Sequence, residues 1–98
     1  MSVKLALLAL LEAREGKGGE LGDFLLSGRD LAMAEEGTVT WYAFRIDETH
    51  YGIFDTFESA EGRQAHLDGE MPKAIAGAAD ELLASPPDIV PVDVLAAK

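Results

Sequence analysis

The sequence has 98 residues, of which 18 are acidic and 8 are basic, and its formal net charge is −10. This length predicts one domain, residues 1–98, and the absence of cysteine excludes disulfides and thiolate metal sites. The acidic balance argues against nucleic acid or an anionic membrane as a partner.

The first predicted element is a strand over residues 3–13. Its segment KLALLALL, residues 4–11, is apolar after the lysine, whereas a half-buried strand alternates apolar and polar residues. We therefore expect both faces of this strand to be buried. The segment is shorter than the ~20 residues that span a bilayer. Glu12 and Arg14 follow where a signal peptide has small residues before its cleavage site, so we expect a cytoplasmic protein.

A helix is predicted next, over residues 20–34. Apolar side chains recur there at the i, i+3, i+4, i+7 spacing of an amphipathic helix. The preceding turn, EGKGG at residues 15–19, lacks the glycine spacing and the Ser/Thr of a phosphate-binding loop. Gly37 suits a left-handed residue that ends the helix.

A hairpin is predicted from TVTWYAFRI, residues 38–46, and YGIFDTF, residues 51–57, which are rich in β-branched and aromatic residues. Its register depends on the loop. A loop of two or four residues pairs Tyr42 with Asp55, and a loop of three reverses part of the resulting faces. With the first alternative, one face carries Thr40, Tyr42, Phe44, Ile46, Tyr51, Ile53, Asp55 and Phe57, and the other carries Val39, Trp41, Ala43, Gly52 and Phe54.

Two helices and a final strand are predicted for the rest of the chain. Ser59 is a suitable N-cap for a helix over residues 60–67, and Pro72 suits the first turn of a further helix that extends to residue 83. The last strand covers residues 89–95. Its Pro91 cannot donate a hydrogen bond, so this strand belongs at a sheet edge.

The predicted element order is β-α-β-β-α-β, which is typical of an α+β ferredoxin-like fold. Right-handed crossovers then give a four-stranded antiparallel sheet in the order 4-1-3-2, with the helices on one face. The first strand is central, yet its apolar run leaves no polar side for water. We expect a second copy of the chain to cover the open face, giving a homodimer.

The first hairpin face combines large aromatic side chains, hydroxyl groups and the carboxylate of Asp55. Such a mixture suits a pocket for a flat, largely apolar ligand that is held by a few polar groups. The alternative is that Tyr42 and Asp55 form a satisfied cross-strand pair at a dimer interface. The sequence leaves both interpretations open.

The segment GIFDTFESAEGRQAHLDG, residues 52–69, resembles the antibiotic biosynthesis monooxygenase family. The resemblance rests on the aromatic-acid-x-aromatic strand end at 54–57, the serine-capped helix and the Ala65-His66-Leu67 triplet. The segments EAREGKGGEL and EEGTVTWYAF are similar to the family's turn before the first helix and its entry to the second strand. The resemblance covers the whole chain. It implies a dimeric α/β barrel that oxidises quinols or phenolic aromatics with O₂ without flavin, haem or metal.

His66 is the best candidate for a general base, because an imidazole accepts a proton near neutral pH. Its alternative role is a structural hydrogen bond to the backbone or to Asp55. We assign the orientation of a phenolate to Asp55, Tyr42 and Arg45, although Arg45 also suits a surface ion pair. His50 fits a solvated loop better than a catalytic role. The predicted substrate contacts are Trp41, Phe44, Tyr51, Ile53 and Phe57, of which Trp41 and Tyr51 also suit core packing.

The sequence departs from the family in two ways that bear on function. Many relatives have glutamate at the position of Asp55, and the chain contains no asparagine, which the quinol-oxidising and haem-degrading branches use in the pocket. The haem branch has its histidine ligand near residues 75–77, where this chain has Ile-Ala-Gly, so haem degradation is disfavoured. The prediction is a cofactor-independent monooxygenase. The alternative, which the missing asparagine favours, is a non-catalytic dimeric module that binds a small apolar ligand.

Overall fold

The computed structural model describes residues 3–98, so residues 1 and 2 of the predicted domain lie outside the described range. The described chain contains four strands and three helices. In chain order these are β1 (Leu5–Glu12), α1 (Gly18–Met33), β2 (Thr38–Arg45), β3 (His50–Phe57), α2 (Ala60–Leu67), α3 (Glu70–Leu82) and β4 (Asp88–Asp93).

The four strands form one antiparallel sheet in the order β2-β3-β1-β4. Read from the other edge, this is the predicted order 4-1-3-2, so the ferredoxin-like α+β fold is confirmed. β1 is central, and Pro91 lies in the edge strand β4, where a missing N–H leaves no interior ladder incomplete.

Two of the helices, α2 and α3, begin where the sequence predicts, whereas α1 begins at Gly18, two residues before its predicted start. The Ser59 hydroxyl accepts a hydrogen bond from the backbone N–H of Gly62 at 3.1 Å and caps α2. Pro72 lies in the first turn of α3, where its missing N–H costs no intrahelical bond. The buried side chains of α1 and α3, among them Leu21, Leu25 and Ile75, pack on one face of the sheet and form the core with it.

Gly37 differs from its prediction. The positive φ expected there is absent, and within residues 3–98 the one residue with positive φ is Gly16, at 79°. Gly37 instead lies against Gly62, since a Cβ atom on Gly37 would be 2.9 Å from the Gly62 Cα. A close approach of two backbones, and not helix termination, accounts for this glycine.

The hairpin loop has three residues, so the pairing of Tyr42 with Asp55 is wrong. Trp41 pairs with Asp55 and Tyr42 with Phe54, and the N–H of Ile46 donates to the carbonyl of His50 at 2.8 Å to close the loop. This slip of one residue exchanges the faces of the β2 side chains relative to β3.

Asp47 stabilises this loop with its own side chain. Its carboxylate accepts hydrogen bonds from the backbone N–H groups of Thr49, at 2.9 Å, and His50, at 2.8 Å. The Thr49 hydrogen bond is the main reason that the pKa of Asp47 falls to about 2, with the His50 side chain second, and Asp47 in turn raises the pKa of His50. An aspartate that bonds to backbone two residues ahead is a typical turn signal.

The sheet consequently has a helix side and an open face. Trp41, Tyr51, Ile53, Asp55 and Phe57 belong to the helix side. The open face is formed by Leu8, Leu10, Tyr42, Phe44, Ile46, Phe54, Val90 and Val92.

The open face is apolar and partly exposed to water. Leu10 is 37% exposed, Tyr42 58%, Ile46 63% and Val90 37%. In the single chain, β1 is buried beneath the helices at Leu7 and Leu11 and on the open face at Ala6, while Leu10 is exposed. The predicted cover of the open face by a second copy stays a prediction. Among the helices of the described chain, none is long and apolar enough to cross a membrane.

Candidate active site

A cavity of about 540 Å³, called here the main cavity, lies between the helix side of the sheet and α2 and α3. Its position follows from the fold, because the helices cover β1 and β3 but leave β4 largely uncovered. Most of its lining is apolar. The sheet contributes Leu7, Ala9, Ile53, Asp55 and Ile89, and the helices contribute His66, Leu67, Met71, Pro72, Ile75, Ala76, Ala79 and Asp80.

Asp55 is the buried carboxylate of the main cavity and is only 1% exposed. Burial in this apolar surrounding is the main cause that raises its pKa to about 6, and the nearby Glu35 carboxylate adds to the rise while His66 opposes it. Among the described residues, its Oδ2 atom has no aligned hydrogen-bond partner. This oxygen is buried, and the polar atom that faces it is Nε2 of His66.

His66 stands between two carboxylates. Its Nε2 atom lies 3.0 Å from Asp55 Oδ2, in a contact that is close but not aligned as a hydrogen bond. Its Nδ1 atom lies 2.6 Å from Glu35 Oε1. Thr38 donates its hydroxyl to the same Glu35 oxygen at 2.7 Å, which fixes the position of that carboxylate.

The Glu35 carboxylate defines what His66 can do. A carboxylate only accepts hydrogen bonds, so Nδ1 carries the proton in this contact. In the neutral imidazole, Nε2 then has a lone pair that faces the Asp55 Oδ2 atom, 3.0 Å away at the main cavity. The His66–Asp55 pair can therefore take a proton from a hydroxyl group that enters the main cavity.

Three of the predicted site residues line the main cavity together: His66, Asp55 and Ile53. Phe57 is fully buried beside them, with its ring centroid 5.5 Å from that of His66, so it packs behind the imidazole. Trp41 packs against the core and near Gly28 of α1, and its Nε1 has no partner among the described residues.

The other predicted residues lie outside the main cavity, and for Tyr42 and Phe44 the reason is the one-residue slip in register. Tyr42 and Phe44 point to the open face, on the side of the sheet opposite to the main cavity. Arg45 is exposed at the end of β2, and Tyr51 is buried in the core near Gly22 of α1. His50 bonds to Asp47 in the hairpin loop, as expected for a loop residue.

Glu35 is the principal site residue that sequence reasoning missed. It lies in the connection between α1 and β2, 31 residues from His66, and no local pattern distinguishes it from the adjacent Glu36. The α3 residues that line the main cavity could be predicted in part, because the apolar stripe predicted for that helix includes Ile75 and Ala79. Within residues 3–98, no three His, Cys, Asp or Glu side chains converge to hold a metal ion.

Comparison with solved structures relates the chain to three informative proteins. The NE2512 protein of unknown function from Nitrosomonas europaea is 47% identical, with a TM-score of 0.95, over 98% of this chain and 93% of that one. A putative antibiotic biosynthesis monooxygenase from Nitrosomonas europaea is 12% identical with a TM-score of 0.82, over 94% and 99% of the two chains. SnoaB, a cofactor-independent oxygenase from Streptomyces nogalater, is 10% identical with a TM-score of 0.79, over 98% and 97%.

The last two structures have low sequence identity to this chain but share its fold, and at the level of fold they confirm the resemblance to antibiotic biosynthesis monooxygenases. No family model matches the chain, and no curated protein matches it either. What the site does must therefore be argued from its own geometry.

Proposed function

The chain belongs to the family of the NE2512 protein and has the fold of the antibiotic biosynthesis monooxygenases, and from this premise we propose that it is a cofactor-independent monooxygenase. Its substrates in this proposal are quinols or related phenolic aromatics, and its oxidant is O₂. The observation that carries the proposal is the buried Asp55–His66 pair, which lies on the wall of a mostly apolar cavity.

The proposed reaction begins with removal of a proton. The substrate hydroxyl lies against Asp55 and His66, its O–H bond breaks, and Nε2 of His66 gains the proton. Glu35 stabilises the resulting imidazolium through Nδ1, and the imidazolium stabilises the phenolate. This step is the contribution of the chain's own residues.

Oxygen then reacts with the electron-rich anion. The phenolate gives one electron to O₂, the radical pair combines to form a C–O bond, and the peroxide takes the proton back from His66. The carbon that bears the peroxide loses its C–H proton, the O–O bond breaks, and the leaving hydroxide takes up a proton and departs as water. The carbon keeps one oxygen atom as the carbonyl of a quinone. One phenol and one O₂ thus give one quinone and one water. The apolar lining favours this course because it excludes water from the anion and the radicals.

Oxygen consumption with purified protein tests the proposal. A panel of hydroquinones and naphthols should reveal at least one substrate, and His66→Ala should lower kcat/KM for it by about 10²- to 10⁴-fold, because the general base is lost. His50→Ala is the matched control and should match wild type, since His50 lies in the hairpin loop. Absence of turnover with every compound, or equal rates for wild type and His66→Ala, would refute the proposal.

A second candidate is a non-catalytic module that binds a small apolar ligand in the same cavity. The absence of asparagine favours it, because the resemblance implies an asparagine in the pocket of active relatives. This candidate predicts a ligand that survives purification and is detected by mass spectrometry of the denatured protein. It also predicts no oxygen consumption with any member of the panel.

We also propose that the working unit is a cytoplasmic homodimer of one-domain chains, residues 1–98, joined through the open face. The exposed apolar side chains of that face support this, since contiguous patches of this kind usually mark interaction surfaces. Tyr42 and Phe44 would then lie at the interface and Arg45 near its rim. The catalytic roles proposed for this chain rest on His66 and Asp55. Ile53 lines the main cavity beside them, and Phe57 packs behind the His66 imidazole.

A further inference from the structure

The main cavity is elongated and has polar groups at its two ends. Asp55 and His66 lie at one end, near Met71 at the start of α3. At the other end, its lining includes Asp80, in the last turn of α3, and Arg14, whose side chain bonds to the carbonyl of Asp80. The step from Met71 to Asp80 is nine residues of helix, or about 14 Å at 1.5 Å per residue.

The middle of the main cavity is apolar and kept open by small side chains. Ala76 and Ala79 line it from α3, while Ala9 and Ile89 line it from the sheet. A volume of about 540 Å³ is in the range of pockets for drug-sized ligands. A one-ring phenol bound at Asp55 would leave most of this length unfilled.

Arg14 is a fixed cation at the far end. Its Nε donates to the carbonyl oxygen of Asp80 at 2.8 Å, and its backbone N–H donates to the carbonyl of Leu82 at 2.8 Å. In residues 3–98, no carboxylate oxygen lies within 4.0 Å of its guanidinium nitrogens. The other arginines of the described residues also lack an acidic partner, but among them Arg14 is the one that lines the main cavity.

We propose that the ligand of the main cavity is an elongated hydroxyaromatic compound, with its hydroxyl group at Asp55 and His66 and an anionic group at its far end bound by Arg14. This inference rests on the proposed function for the position of the hydroxyl group. The guanidinium supplies planar, charged donors that suit a carboxylate or a phosphate. The apolar body between the two ends lies along Ala76 and Ala79.

Equilibrium binding tests the inference without any need for turnover. The probes are 4-hydroxyphenyl alkanoic acids with chains of one to about eight methylenes, each with its methyl ester, and Kd is measured by calorimetry under nitrogen. Affinity should rise by about two- to fourfold per methylene as apolar surface is buried. The acid should bind more tightly than its ester only when the chain is long enough to reach Arg14.

Two pairs of variants test separately the anion contact at Arg14 and the apolar middle of the main cavity. Arg14→Gln should weaken the binding of the longest acid that fits by about tenfold and leave its ester unchanged. Lys73→Gln, which removes an exposed charge on α3, should change neither. Ala76→Phe should abolish the dependence on chain length and leave the shortest probe unaffected. Gly77→Phe is its control, because a side chain at Gly77 enters open space.

Affinity that does not depend on chain length, or an equal loss of acid and ester binding in Arg14→Gln, would overturn the inference. These failures are distinct from failure of the proposed function. Rapid oxidation of short hydroquinones with no preference for long or anionic compounds would leave the monooxygenase proposal standing. Tight binding of the long acids, together with no oxygen consumption from any compound of the hydroquinone and naphthol panel, would leave the inference standing and refute the monooxygenase.

Discussion

Asp55 shows that a group suited to proton transfer lowers the stability of the fold that holds it. Its pKa is raised to about 6, mainly by burial, so the native state holds this proton to a higher pH than the unfolded chain does. The stability contribution of the protonated form is fully present below pH 4 and is lost as pH rises through about 6. At neutral pH the ionised carboxylate is therefore a cost, which a purely structural position would not retain.

Asp55→Asn should consequently stabilise the protein in alkaline but not in acidic solution. The amide keeps the shape of the carboxyl group and cannot ionise. We expect the advantage of the variant over wild type to grow by about 1–2 kcal/mol between pH 5 and pH 8, from the raised pKa. Urea unfolding at the two pH values measures this, with Asp30→Asn, an exposed aspartate of α1, as the control that should show no such growth.

The neighbouring residues show what can be predicted about such a site from sequence and what cannot. His66 and Asp55 were identified because histidine and a strand carboxylate near aromatic residues carry recognisable chemistry. Glu35 was not, because its role arises only when the α1–β2 connection packs against α2, which brings its carboxylate to 2.6 Å from His66 Nδ1. A contact made across 31 residues leaves no local pattern.

Among the elements, the hairpin was the hardest to predict. Its two strands were evident from β-branched and aromatic residues, but its register depends on the length of the loop. The hydrogen bonds from Thr49 and His50 to Asp47 stabilise a three-residue loop, and the resulting slip exchanges the faces of β2 side chains. This single residue of register decides that Asp55 lies in the main cavity and Tyr42 on the open face.

The start of α1 depends on the same loop. Gly18 is the first residue of the helix, and a Cβ atom there would collide with the backbone carbonyl oxygen of Glu48 in the hairpin loop, whereas a Cβ atom at Gly19 meets no atom within 4 Å. The glycine of the predicted turn therefore lets the helix and the loop come into contact. The sequence pattern placed the helix two residues later because glycine carries no helical signal.

Gly18→Ala should thus destabilise the protein, while Gly19→Ala should not. The collision at Gly18 involves backbone atoms that cannot rotate away, so we expect a loss of about 1–3 kcal/mol in the free energy of unfolding. At Gly19 the alanine should be neutral or stabilising by up to about 1 kcal/mol, from helix propensity. Urea unfolding of both variants distinguishes them, and equal stabilities would show that the loop is free to move.

For the whole molecule, the sheet order followed from the sequence, but the extent of the open face became visible only with the register. The helices bury one side of β1, while on its other side Leu8 is half-buried and Leu10 is 37% exposed. Phe44 and Phe54 add aromatic surface beside them. An acidic chain of net charge −10 keeps most of its charge away from this face, so that two copies can approach without strong repulsion there.

Leu10→Arg should therefore convert a dimer into monomers without unfolding the chain. Leu10 lies on the open face of the central strand, opposite Asp88 of β4, and is already 37% exposed. Arginine is therefore tolerated in the monomer, but burying its charge among the apolar side chains of a sheet-to-sheet interface would be costly. Sedimentation velocity at micromolar concentration should give about twice 10.5 kDa for wild type and 10.5 kDa for the variant. Leu26→Arg, at a 75% exposed leucine of α1, is the control and should remain dimeric. A wild-type chain that sediments only as the 10.5 kDa species would contradict the dimer, and the exposed apolar side chains of the open face would then require another partner.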